Sequence, residues 1–165
     1  MPATKTLDDL FLDTLKDIHY AEKQILKALP KMARAAQSEE GKAGFLKHRV
    51  ETRGQIDRLE QVFEIIGKPA RGKTFEPIQG IIAEGEEVIE KYKGSPALDA
   101  GPISSAQAVE HNEIARYGTL IARAGQLGHK EAIPLLQTSL EEEETDQKLT
   151  QLANVSANAR GTKAA

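Results

Sequence analysis

The chain has 165 residues, 28% of them charged and 39% apolar, with a net charge of −3 and an isoelectric point near 5.9. That length suits one domain with a real core, the mild acidity offers nucleic acid no basic footprint, and the lack of cysteine excludes disulfides, zinc ribbons, rubredoxin-type iron sites and thiol catalysis. No apolar run nears the roughly 20 residues that span a bilayer, and the opening MPATKTLDDLF lacks the apolar segment of a signal peptide, so a soluble, cytoplasmic protein with no membrane partner is expected.

Aromatic residues are scarce at 4%, and Ala, Leu, Glu, Lys and Gln dominate. That composition favours helix throughout. From Thr4 to Ala36, the residues Phe11, Leu15, Ile18, Glu22, Ile25, Leu29 and Met32 recur at steps of four and three, the core seam of a bundle helix. Thr6, followed by Asp8 and Asp9, suits a capped and negatively charged first turn. Pro30 falls inside the pattern and should kink the helix or break a hydrogen bond locally. QSEEG, residues 37–41, reads as a short turn. A second helix is predicted from about Lys42 to Ile66, stopped by Gly67 and Pro69. Its seam comprises Phe45, His48, Glu51 or Thr52, Gln55, Leu59, Val62 and Ile66.

Residues 67–103 behave differently. GKPARGK is a basic turn, Pro77 to Tyr92 suits a shorter helix with Ile78, Ile81, Ile82, Val88 and Ile89, and KGSPALDAGP breaks the pattern again. The whole reads as a crossover carrying its own helix. A third long helix is predicted over roughly Ser104 to Leu127, with a seam of Ala106, Glu110, Glu113, Tyr117, Leu120, Ala124 and Leu127. A fourth follows from about Ala132 to Asn154, with Pro134 tolerable only in its first turn and a seam of Leu136, Leu140, Glu143 and Gln147, Asp146 beside it. The tail from Ser156 to Ala165 is small and polar and should fray. Two helical hairpins joined by a long crossover predict an all-α fold, a four-helix bundle of ferritin-like connectivity over residues 1–155.

Every long helix carries a carboxylate in or beside its apolar seam. In an antiparallel hairpin, residues equally far from the turn share a height. Glu113 and Glu143 each lie 15 residues from Gly128, and Glu110 and Asp146 each lie 18 from it. Glu22 lies 16 residues before Ser38 and Glu51 lies 13 after it, a mismatch of only ~4–5 Å at the rise of a helix. The six carboxylates can therefore converge on one midsection. Buried together, they must bind cations, find basic partners or take up protons, because desolvation costs several kcal/mol per ion (roughly). Carboxylate-lined bundles hold two divalent metals with one Glu from each of two helices and Glu-x-x-His from each of the others. Here the pairs are Glu110-x-x-Glu113 and Glu143-x-x-Asp146, without histidine. His48 precedes Glu51 by three and His19 precedes Glu22 by three, so either offers an imidazole from an unusual direction, although packing or surface histidines are the commoner reading. Arg49 and Arg53 could instead neutralise Glu51. Tyr117, one turn past Glu113, reads as core whose phenol can hydrogen-bond a ligand carboxylate, and Gln55 and Gln147 could orient ligands.

AEKQILKALPKMA, HRVETRGQIDRLEQVFE, VEHNEIARYGTL and LEEEETDQKLTQLA resemble, in that order, the bacterial YciF/YciE stress-protein family of the ferritin-like superfamily. The match extends from about Thr6 to Ala153. The resemblance implies a four-helix bundle with an extra helix in the crossover, a homodimer, and a cage like that of rubrerythrin or manganese catalase. It implies no activity. Carried over, the family's candidate metal ligands are Glu22, Glu51, Glu110, Glu113, Glu143 and Asp146. The family's pattern has one more residue between the glutamate run and the aspartate of the last helix. A one-residue deletion turns a helix by about 100°, which leaves Glu142, Glu143 and Glu144 as alternatives for the inward position.

Two functions are weighed. One is a ferritin-like protein holding two divalent metal ions, iron or manganese, that react with peroxide or O2; an oxygen-rich, histidine-poor site suits such hard cations, and electrons would come from an external donor. The other is a non-enzymatic stress protein whose cage is vestigial.

Overall fold

A computed structural model describes residues 3–163 as five helices, with no strand among them: α1 Leu7–Ala35, α2 Glu39–Ile65, α3 Glu76–Lys91, α4 Ala100–Leu127 and α5 Ala132–Thr162. The four long helices close a ring in which α1 touches α2 and α4, and α5 touches the same two, while α3 lies against α1 and α4. The core runs through this ring, with Phe11, Leu15, Ile18, Leu59, Val62, Phe63, Leu120 and Leu136 packed together at one end. None of the helices is long and apolar enough to cross a membrane.

The local chemistry explains the boundaries. Thr6 caps α1 in a reciprocal box: the Asp9 amide donates to Thr6 Oγ1 at 3.3 Å and the Thr6 amide to Asp9 Oδ2 at 2.8 Å. Pro30 has no N–H for the Leu26 carbonyl, yet α1 runs on past it to Ala35. The expected turn at residues 37–41 shrinks to three residues. Ser38 caps α2 by accepting from the Gly41 amide at 3.1 Å, and Glu39 and Glu40 enter the first turn, where negative charge suits the helix dipole. At the far end of α2, the Lys68 amide donates to the Phe63 carbonyl and the Gly67 amide to that of Glu64. Gly67, at φ +66°, is the left-handed residue this closure requires. Gly128, at φ +78°, ends α4 in the same way and sets the height at which α5 returns.

Two further boundaries differ from the sequence reading. Helix α4 begins at Ala100 rather than near Ser104, with Pro102 in its first turn where a missing N–H costs little. Helix α5 does not stop at Asn154 but continues to Thr162. Its end is small because it is packed: Ala157 is buried, and a Cβ at Gly161 would lie 3.4 Å from Ala97 of the crossover. Residues 1–2 and 164–165, including the last two of the expected tail, lie outside the described residues. The crossover is itself anchored. Buried Asp99 accepts from the amides of Gln37 at 2.8 Å and Ser38 at 2.9 Å, and Arg160 of α5 stands 4.0 Å from it.

Nothing lies within 4 Å of a Cβ built at Gly128, so Gly128→Ala should carry only the conformational cost of a left-handed L-residue, ~1–2 kcal/mol. Thermal unfolding should show that loss with no change in helix content by circular dichroism.

Candidate metal centre

The seams deliver their polar members to one level of the core. On α1, Glu22 lies between Ile18 and Ile25 and is fully buried; on α4, Glu110 and Glu113 are buried below Tyr117; on α5, Glu143 and Asp146 are buried beyond Leu136. The glutamate run is resolved: Glu143 faces inward, Glu141 and Glu144 are exposed, and Glu142 sits at the edge, ion-paired with Arg58. Glu143 and Asp146, three residues apart, therefore share the inner face. On α2 the buried seam position is Thr52, while Glu51 keeps 20% of its side chain exposed. Its neutralising partner is Lys47 rather than Arg49 or Arg53.

Neighbouring side chains hold these carboxylates from outside. The Tyr117 hydroxyl donates to Glu22 Oε1 at 2.5 Å, and Thr150 Oγ1 to Glu110 Oε1 at 2.7 Å. Gln55 Nε2 donates to Glu143 Oε1 at 2.7 Å and lies 3.2 Å from Glu142 Oε2. Lys47 Nζ bridges Glu51 Oε1 at 2.6 Å and Asp146 Oδ1 at 3.0 Å. In each of Glu22, Glu51, Glu110, Glu143 and Asp146, one oxygen is held and the other is buried without a partner. Both oxygens of Glu113 lack one while the carboxylates are ionised, which brings the set to seven buried carboxylate oxygens without a donor; protonated, Glu113 can donate to Glu143 or Glu22.

Histidine enters as well. His48 is buried, its Nε2 3.8 Å from Glu143 Oε1, and His48, Glu143 and Asp146 offer ligand atoms all within 4.8 Å of one another. That triad is a possible metal-binding cluster. His19, equally buried, turns the other way: its Nε2 lies 3.4 Å from Glu60 and its ring meets the edge of Phe63. His111 contacts Gln147 on the outside, so Gln147 orients nothing in the core. Of the residues around the cluster, Lys47, Arg58 and Thr150 escaped the sequence reading. Thr150 follows Glu143 by seven residues, a spacing that places both on one face. Lys47 precedes Glu51 by four, the ordinary spacing of a helical ion pair.

Electrostatics follows from burial. Glu22 is pushed up to about 7 by burial and by the charge of Glu143, and Glu110 to about 7 by burial above all. Glu113, buried between Glu143 and Glu22, is driven well above the carboxylate range. Burial alone would discharge His48, but Glu143, with Asp146 and Glu110 nearby, more than offsets it and raises the imidazole to about 9. Burial likewise works against ionised Glu143, and His48, Glu113 and Gln55 outweigh it, holding Glu143 below its usual value.

The molecule is thus an all-α protein whose core is lined with carboxylates from α1, α4 and α5, with Glu51 of α2 at their edge. Residues 6–162 match the domain of unknown function DUF892, and the chain belongs to that family. It is 47% identical to Protein YciF of Escherichia coli (strain K12) over 152 residues, 90% of this chain and 91% of that protein. The crystal structure of the E. coli stress protein YciF superposes with a TM-score of 0.89 at 39% identity, covering 94% of this chain and 99% of that one. YcfI of Rhodopseudomonas palustris, described as a candidate structural protein, superposes at 0.87 and 43% identity, covering 91% and 96%.

The ionisations give the metal-free protein a direction in pH. Glu22 and Glu110 keep their protons in the folded state between about 4.5 and about 7, whereas the unfolded chain has lost them. His48 keeps its proton up to about 9 against 6.5 unfolded. All three contribute stability at low pH that is lost as pH rises through the folded values. Chelator-treated protein should therefore melt at higher temperature at pH 5 than at pH 8, and Glu22→Gln should flatten that slope.

Proposed function

We propose that the chain is a ferritin-like four-helix bundle, with α3 as the extra crossover helix, that binds two divalent cations, manganese or iron, among Glu22, Glu51, Glu110, Glu113, Glu143 and Asp146, with His48 beside them. The observation that carries this reading is the seven buried carboxylate oxygens left unpaired at one level. A polar atom buried without a partner costs ~1–3 kcal/mol, more when charged, and cations would satisfy the whole set at once. Hard oxygen donors with one imidazole suit manganese or iron. Tyr117, Thr150 and Gln55 each fix one oxygen of a ligand and leave the other free.

When bound, such a pair of ions supplies redox chemistry toward peroxide or O2. The chain's own part is to position the ligands, exclude water with its apolar layers and keep a proton on Tyr117, whose phenol burial and the Glu22 charge hold well above its ordinary range. With no cysteine in the chain, electrons would come from an external donor. The stress role of YciF, and a homodimer, complete the proposal for this chain.

A second reading has its own support. His48 and Lys47 bring positive charge, and Glu22, Glu110 and Glu113 are raised enough to take protons. The core can therefore neutralise itself, as a structural stress protein would require.

Metal per chain separates the two. After anaerobic loading with Fe(II) or Mn(II) and desalting, mass spectrometry should find close to two ions per chain in the wild type and a large loss in Glu113→Ala. Metal should also raise the melting temperature by mass action. Retention of none, together with a Glu113→Met variant that melts higher than wild type, establishes the structural reading instead.

A further inference from the structure

The carboxylate cluster has an inside and an outside. Glu22 and Glu113 sit at full burial between apolar layers, while Glu51 and Asp146 stand nearest to solvent, 20% and 9% exposed. A cavity of about 300 Å³ opens beside Asp146, with Lys47, His48, Glu110 and Thr150 also among its lining residues and Phe45 on its apolar wall. An ion from solvent would meet Asp146 and Glu110 by this route. Lys47 stands in that route. Its ammonium reaches across from α2 to α5 and donates to Glu51 Oε1 at 2.6 Å and Asp146 Oδ1 at 3.0 Å. These two residues each keep a second oxygen buried and unpaired, Glu51 Oε2 and Asp146 Oδ2. The side chain of Lys47 is half exposed, so it can swing out to water with no cavity left behind it in the core.

We propose that Lys47 is a tethered cation that fills the outer half of the carboxylate cluster, competing with a divalent metal for Glu51 and Asp146 and setting how tightly the outer of two positions binds. The inference rests on the metal reading above and adds a residue that controls occupancy. A lysine ammonium neutralises one charge and offers three donors in no fixed geometry. A divalent ion neutralises two and coordinates both oxygens of a carboxylate. A divalent ion on the free Glu51 Oε2 and Asp146 Oδ2 would stand a carboxylate's width from the ammonium held on Oε1 and Oδ1, and like charges that close repel, so one must leave when the other arrives. With Lys47 in place each outer carboxylate has a donor and half of the pair's charge is neutralised without metal, so the protein can fold before a metal arrives. The inner carboxylates have no such substitute: no ammonium or guanidinium is paired with Glu22, Glu110 or Glu113 among the described residues. The two positions should accordingly differ in affinity, the inner filling first.

The test is a titration with Mn(II), free ion being followed by its electron paramagnetic resonance signal, on wild type, Lys47→Met and Lys47→Arg. Lys47→Met keeps the length of the side chain and removes the charge. It should tighten the weaker of two binding events about tenfold, the scale of one displaced charge-assisted pair, and leave the tighter event unchanged. Lys47→Arg should bind no more tightly than wild type. A Lys47→Met variant that binds two ions with wild-type affinities overturns the proposal and leaves the dinuclear reading standing. Wild type and Lys47→Met both binding none removes the dinuclear reading and this proposal with it. A second measurement uses unaltered protein: trace acetylation of amines by an N-hydroxysuccinimide ester, read at Lys47 by mass spectrometry. Mn(II) should raise the labelling of Lys47 several-fold relative to the other lysines, because the displaced ammonium enters solvent. Labelling that Mn(II) leaves unchanged shows that the ammonium is not displaced, and overturns the proposal even if Lys47→Met fails to fold.

Discussion

The build of this molecule answers to the desolvation of five carboxylates at one height of its core, Glu22, Glu110, Glu113, Glu143 and Asp146, with Glu51 at their edge. Burying an anion costs several kcal/mol, roughly, even after the surroundings relax, and Glu22, Glu113 and Glu143 are wholly removed from water. An apolar protein of this size would have no reason to keep them. Apolar layers seal the level: Ile18 and Ile25 flank Glu22 along α1, and Tyr117 and Leu120 follow Glu113 along α4. The bundle is built around its least comfortable residues.

The supporting side chains share a pattern. Tyr117, Thr150 and Gln55 hold one oxygen each of Glu22, Glu110 and Glu143, Gln55 reaching Glu142 as well, and the second oxygen of each of the three is left open. A donor used this way fixes the rotation of the carboxyl group without consuming its capacity to accept. Arg58 does the same work one shell further out: paired with Glu142 and donating to Ser139 Oγ at 3.0 Å, it keeps the outer face of α5 from turning Glu142 inward against Glu143. The family relationship to E. coli YciF and the close superposition on its structure mean that this scaffold is shared, and the open oxygens are where its chemistry has to be sought.

Much of this was legible in the sequence because helical periodicity and hairpin counting are geometric. Four-three spacing placed Glu22, Glu110 and Glu113 in their seams, and equal distances from Gly128 paired Glu113 with Glu143 and Glu110 with Asp146. Three things were not legible for physical reasons. Glu51 and Thr52 are adjacent, so the seam could pass through either, and burial chose the threonine while the glutamate turned to Lys47. His48 was underweighted because a histidine on an apolar seam is ordinarily packing; only the return of α5 beside α2 brings Glu143 to 3.8 Å from it. The last eight residues of α5 were misread because small side chains signal a loose end and a close approach alike, and only the crossover at Ala97 distinguishes them.

Asp99 ties these parts together in time as well as in space. Its carboxylate takes the amides of Gln37 and Ser38, the turn of the first hairpin, while its own backbone leads into α4 of the second. Either hairpin can form from local contacts, but those two amides gain their partner only once the crossover has been laid down and the hairpins have met. In a hydrogen-exchange record of refolding, Gln37 and Ser38 would be among the last amides to become protected, and their protection would date the moment at which two separate half-cages become one.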